Sequence, residues 1–132
     1  MIAVDASALI AIALREQERL AFQGALSRAD AAVMAPTNFL ETGIVLLQRG
    51  FISSLAELEA QLAAYGVQLC EDQGLAAGAL DAFMRYGKGR HPARLNLGDC
   101  FAYALAKQLD APLLYKGDDF AQTDTRSALQ PM

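Results

Sequence analysis

Cysteine and histidine are scarce in this chain: two Cys, Cys70 and Cys100, and one His, His91, among 132 residues. With no CxxC pair and a single imidazole, neither a zinc site nor a disulfide framework is indicated, and two reduced, largely buried thiols are expected. Positive charge is also in deficit. Eleven Lys and Arg against fifteen Asp and Glu give a net charge of −4 and a pI of about 4.8. That excludes a surface broadly coated for nucleic acid, so any such partner has to be held by a local basic patch or by metal ions. No apolar run approaches the roughly 18 to 20 residues that a membrane span requires. The start has an acid at position 5 in place of a positively charged leader with a cleavage site, which predicts a cytoplasmic protein.

What is present is apolar. With 54% hydrophobic and 20% charged residues, the chain has the composition of one compact domain over residues 1–132, long enough to bury most of its unfolded surface. Short apolar segments alternate with helical patterns. Strands are predicted at 1–4, 31–35, 67–70 and 112–115, and helices from Ser7, over about 17–28, 37–48, 53–66 and 73–86, and from Gly98 or Asp99 to about Leu109. Residues 87–97, GKGRHPARLNL, read as a loop. Strands joined through helices imply a parallel sheet with helical covers, because parallel neighbours need crossover connections.

Acids recur at one structural position in this scheme. Asp5 comes directly after the first strand, Glu41 falls in the first turn of the helix after the second, Asp99 starts the helix before the fourth, and Asp118 and Asp119 come after the fourth. In an open parallel sheet, ligands bind beyond the carboxyl ends of the strands, so four separate stretches deliver carboxylates to one cleft. Each acid alone is also explained as a cap: Asn38 to Glu41 and Asn96 to Asp99 both have capping-box spacing, and Asp5 can cap the helix after it. Taken together, carboxylates crowded in one cleft repel each other unless a cation neutralises them. Oxygen ligands without nearby Cys or His select Mg²⁺ or Mn²⁺.

The stretches MIAVDASALIAIAL, NFLETGIVL, HPARLNLGDCFAYALAK and PLLYKGDDFAQTD together resemble a PIN-domain ribonuclease of the VapC toxin type, over almost the whole chain and with that family's order of acids. The resemblance implies a three-layer α/β/α sandwich with a central parallel sheet of four to five strands, and Mg²⁺-dependent cleavage of RNA. It places the family's acids on Asp5, Glu41, Asp99 and Asp119, its hydroxyl on Ser7, and leaves Asp118 as an outer acid beside Asp119. Ala6 departs from the family, which often has threonine there. Asp5 and Asp99 are then the principal metal ligands, while Glu41 and Asp119 ligate through water, complete a second site, or help deprotonate the nucleophile. The resemblance further implies a VapB-type antitoxin as partner, a homodimer, and larger toxin-antitoxin assemblies.

Other residues carry weaker signals. Arg85, Lys88, Arg90 and Arg94 cluster just before Asp99 and either grip RNA phosphates or form a solvated loop. His91, alone in that loop, is at most a phosphate contact. Apolar positions between 39 and 65 serve partner contacts or the core. Two rivals remain: an aspartyl-nucleophile phosphatase, which wants a second Asp where this chain has Ser7, and a catalytically inactive module of the same fold that binds antitoxin or RNA.

Overall fold

A computed structural model describes residues 1–71 and 74–129. Four short strands, β1 (Ile2–Val4), β2 (Ala32–Met34), β3 (Val67–Leu69) and β4 (Leu113–Leu114), form a fully parallel sheet in the order β3-β2-β1-β4. Between them run α1 (Ala6–Ala13), α2 (Arg19–Arg28), α3 (Pro36–Gln48), α4 (Leu55–Ala64), α5 (Leu75–Tyr86) and α6 (Leu97–Leu109). The expected α/β/α sandwich is therefore present, with four strands among the described residues.

The layers arise from the two-residue period of a strand, which sends neighbouring side chains to opposite faces. Ile2, Val4, Ala32, Met34 and Leu114 join one core with Leu9, Ile12, Phe22, Leu46, Leu58 and Leu62 from α1 to α4. Ala3 and Leu113 point into a second core with Leu75, Ala79, Ala82, Cys100 and Leu105 from α5 and α6. Both faces are buried along β1 and β4, so those strands read as unbroken apolar runs without alternation, whereas the edge strand β3 carries Gln68 and is exposed after Val67. The α5 and α6 helices approach closely because Gly78 presents no side chain: a Cβ there would lie 3.3 Å from that of Ala104.

Element ends differ from the sequence expectation in ways that matter for the site. Ser54 caps α4 through the Glu57 N–H, and Gly66, at φ 71°, stands just past its last turn. Pro36 starts α3, and Ala35 is its N-cap. Asn38 is thus inside the helix and caps nothing, and Glu41 lies in the second turn, not the first. The physical reason is that proline at a first helical position is pre-organised by its fixed φ and has no N–H to satisfy. Residue 73, the expected start of the fifth helix, lies outside the described residues.

Candidate active site

The carboxyl edge of a parallel sheet gathers the segments that leave β1, β2 and β4. Asp5, directly after β1, is 4% exposed and N-caps α1, with Oδ2 accepting from the Ser7 N–H at 3.1 Å. Its own N–H donates to the Leu114 carbonyl at 2.9 Å, which ties it to the end of β4. Burial, reinforced by the charges of Asp99 and Glu41, pushes its carboxyl up to about 7, although the Ser7 hydrogen bonding opposes the rise. A buried carboxyl with acidic neighbours resists ionisation because its charge loses water and meets like charge.

Asp99 stands in the first turn of α6. Its N–H donates to Asn96 Oδ1 at 2.9 Å and its Oδ2 accepts the Asn96 N–H at 3.0 Å, which completes the capping box expected from spacing. Burial raises its pKa to about 6, with the Asn96 N–H pulling it down and Asp119 and Glu41 pushing it up. Asp119 thus acts electrostatically on Asp99. It sits beyond the turn at Gly117, whose φ of 101° is one that side chains disfavour, and precedes the short 3-10 segment Phe120–Gln122. Its neighbour Asp118 is also exposed.

Glu41 is oriented by two residues. Asn38 Nδ2 donates to its Oε1 at 2.8 Å and also to the Gly98 carbonyl at 3.0 Å. Gly98, immediately before Asp99, leaves room for the Glu41 carboxyl group: a Cβ there would collide with Cδ and both oxygens. Spacing alone suggests Asn38 as a helix cap. The available signal for its actual contact is a glycine directly before an acid at a helix start, where close approach is a common reason for glycine.

Ser7 links two parts of the site. Its N–H serves Asp5, while its hydroxyl accepts from the Lys116 N–H at 2.9 Å, anchoring the loop that carries Asp118 and Asp119. The Lys116 ammonium is turned to Glu16 and Glu18. Cys100, next to Asp99, is a free buried thiol; burial and then the Asp99 charge push it up to about 11, which keeps it protonated and non-nucleophilic at neutral pH. Cys70 is also free and half-buried.

The structure therefore brings Asp5, Glu41, Asp99 and Asp119 into one electrostatically coupled group. None of the ion pairs among the described residues involves them. Their donor set, carboxylate oxygen alone, fits a hard divalent cation, and such a cation would offset the burial and the like charge that raise Asp5 and Asp99. Among the described residues, however, no three Asp, Glu, His or Cys side chains stand close enough together to grip an ion. Asp99 is held in its capping box, and Glu41 is held by Asn38 against Gly98, the residue directly before Asp99.

The basic loop is less uniform. Arg85 stacks over the Tyr86 ring, 5.0 Å from its centroid, and donates to the Tyr86 and Tyr103 hydroxyls. Arg90 Nε donates to the Met84 carbonyl at 3.0 Å. Lys88 and Arg94 are exposed, and Arg94 holds a left-handed φ of 57°. His91 Nδ1 accepts from the Ala93 N–H at 3.0 Å and its ring packs edge-on against Tyr86. These contacts shape the loop and account for His91 without a ligand.

Comparison with known proteins matches this architecture. The PIN domain family description matches residues 2–126. A protein named Ribonuclease VapC from Mycolicibacterium smegmatis is 43% identical over 122 residues, covering 92% of this chain and 95% of that protein. Ribonuclease VapC30 of Mycobacterium tuberculosis is 40% identical over 131 residues, covering 97% and 98%. Among solved structures, VapC20 of Mycobacterium tuberculosis, titled a sarcin-ricin loop cleaving toxin, shares the fold with a TM-score of 0.76 at 15% identity, over 99% of this chain and all of that one.

Proposed function

We propose, on the premise that this chain belongs to the PIN-domain family and within it to the VapC ribonucleases, that it is a metal-dependent endoribonuclease and the toxin of a VapBC-type pair. The observation that carries the reading is the pair of buried carboxyls at the carboxyl edge of the sheet, Asp5 raised by burial and by the charges of Asp99 and Glu41, and Asp99 raised by burial and by those of Asp119 and Glu41. Four carboxylates from distant stretches, unneutralised by any described ion pair, are a poor arrangement for stability alone and a suitable one for holding a cation.

In this reading Asp5 and Asp99 are the principal ligands of Mg²⁺, or of Mn²⁺, with Glu41 and Asp119 completing the site. When bound, the cation supplies Lewis acidity toward the scissile phosphate and the attacking water. The protein does the rest. Asp5 is fixed at the start of α1 by the Ser7 N–H on its Oδ2 and by its own N–H on the end of β4. The Glu41 carboxylate accepts the proton of the attacking water, and its orientation is set by Asn38. Ser7 holds the Asp119 loop in register with Asp5 through Lys116. Arg85, Lys88, Arg90 and Arg94, which precede Asp99 in the sequence, contact RNA phosphates and supply the local positive charge that the acidic chain otherwise lacks.

The same reading assigns a VapB-type antitoxin as partner, a homodimer and larger toxin-antitoxin assemblies, and a cytoplasmic location. It is supported by Leu40, Ile44, Leu47, Phe51 and Leu55, exposed apolar side chains on and beside α3 and α4. Among the described residues no helix is long and apolar enough to cross a membrane. The test is cleavage of RNA by the purified chain with Mg²⁺ and with chelator. Cleavage that requires the cation and disappears in Asp5→Asn and Asp99→Asn, with the fold retained, is expected. RNA binding without cutting would instead identify a non-catalytic module.

A further inference from the structure

We propose that Asn38 is a positioning residue which, with Gly98 as its notch, clamps the Glu41 carboxylate against the first turn of α6. The proposal rests on the nuclease reading and adds to it a device that joins two of the acid-bearing helices. One amide nitrogen makes both bonds: Nδ2 reaches Glu41 Oε1 on its own helix at 2.8 Å and the Gly98 carbonyl on α6 at 3.0 Å, across sixty residues of sequence. Both partners are pure acceptors, so the orientation of the amide is set by chemistry: only the NH₂ end can face them.

The arrangement is costly if its purpose is stability. Asn38 is fully buried, and its Oδ1 has no hydrogen-bond partner among the described residues. An apolar side chain in that place would carry no unsatisfied acceptor. What asparagine adds is a donor that holds one oxygen of the carboxylate in place against Gly98. Gly98 contributes by absence, since any Cβ would occupy the volume of the Glu41 carboxyl group. The peptide that accepts the Asn38 bond also leads directly into Asp99, so the clamp sets Glu41 relative to Asp99 as well as to α3. Thr42 Oγ1 donates to the Asn38 carbonyl at 2.8 Å.

Two variants test it. Gly98→Ala adds one methyl at a helix start, where alanine is well accepted, and displaces Glu41. Asn38→Asp keeps the side-chain volume and replaces the donor by an acceptor. Mn²⁺ affinity of the RNA-free protein, measured by electron paramagnetic resonance, is expected to fall about 10- to 100-fold in both, the range seen when residues orienting metal ligands are changed. In cleavage assays kcat should fall with KM nearly unchanged. In a Glu41→Ala background neither substitution should weaken Mn²⁺ binding further, because both act through Glu41. Should Asn38→Asp fail to fold, Gly98→Ala in the two backgrounds decides alone. Wild-type Mn²⁺ affinity in folded Gly98→Ala, or equal losses with and without Glu41, would overturn the clamp while leaving the nuclease reading intact. A wild-type protein that neither binds Mn²⁺ nor cuts RNA would overturn both.

Discussion

Raising the pH of the cation-free protein from 5 to 8 should destabilise it, and Asp5 sets the size of the effect. Its carboxyl is 4% exposed and titrates near 7 in the folded state against 3.8 as a free side chain. Because the folded pKa is the higher one, the folded state binds the proton more tightly, and the associated stability is complete below about 3.8 and disappears as the pH rises through about 7. At about 1.4 kcal/mol per pKa unit, the part falling between pH 5 and 8 amounts to about 2 to 3 kcal/mol. Asp99, shifted to about 6 by burial and by its acidic neighbours, acts in the same direction. Being partly exposed, it adds about 1 kcal/mol or less after solvent screening.

The assay is urea unfolding in chelator across that range, with the wild type compared with Asp5→Asn, which removes one carboxyl and leaves every other titratable group in place. The expected wild-type loss is a substantial part of a total stability that for most domains is only about 5 to 15 kcal/mol. Asp5→Asn should abolish most of the slope. Added Mg²⁺ should reverse the trend, since a cation binds the ionised carboxylates and stabilises the folded state by about 2.7 kcal/mol at a hundred times its dissociation constant. A wild-type stability that is flat or rises with pH in chelator would refute the burial of Asp5 beside Asp99 and Glu41 on which the functional reading depends.

The same geometry leads to three further outcomes. Neutralising Arg90 and Arg94 together should weaken RNA binding and reduce the slope of log affinity against log salt by up to about 1.4 on single-stranded RNA, measured by salt-titrated fluorescence anisotropy; unchanged affinity would make this a solvated loop. Ser7→Ala removes the acceptor of the Lys116 N–H and should cost about 1 kcal/mol in urea unfolding, together with a reduced cleavage rate from a loosened Asp119 loop. Phe22→Ala, in the core between α2 and the sheet at 1% exposure, should cost about 3 to 5 kcal/mol by thermal or urea unfolding without touching the acids.

The order of elements is legible in the chain because each carries its own local signal: apolar strands of two or three residues, a serine before α4 and a glycine after it, an asparagine three residues before Asp99. The acids at the carboxyl edge are legible for a related reason, since strands that run parallel all end on the same side of the sheet and release their next residues there. Local signals do not report contacts between helices. The spacing of Asn38 and Glu41 matches a capping box as well as that of Asn96 and Asp99 does, yet Pro36 starts α3 one turn earlier and turns Asn38 inward, where it meets Gly98 sixty residues away. Only packing decided that, because a backbone amide satisfied within its own turn and a side-chain amide satisfied across two helices look identical in sequence. Burial decided the rest: the chain alone names five carboxylates, but which of them lose water and feel one another is set by the layers folded around them.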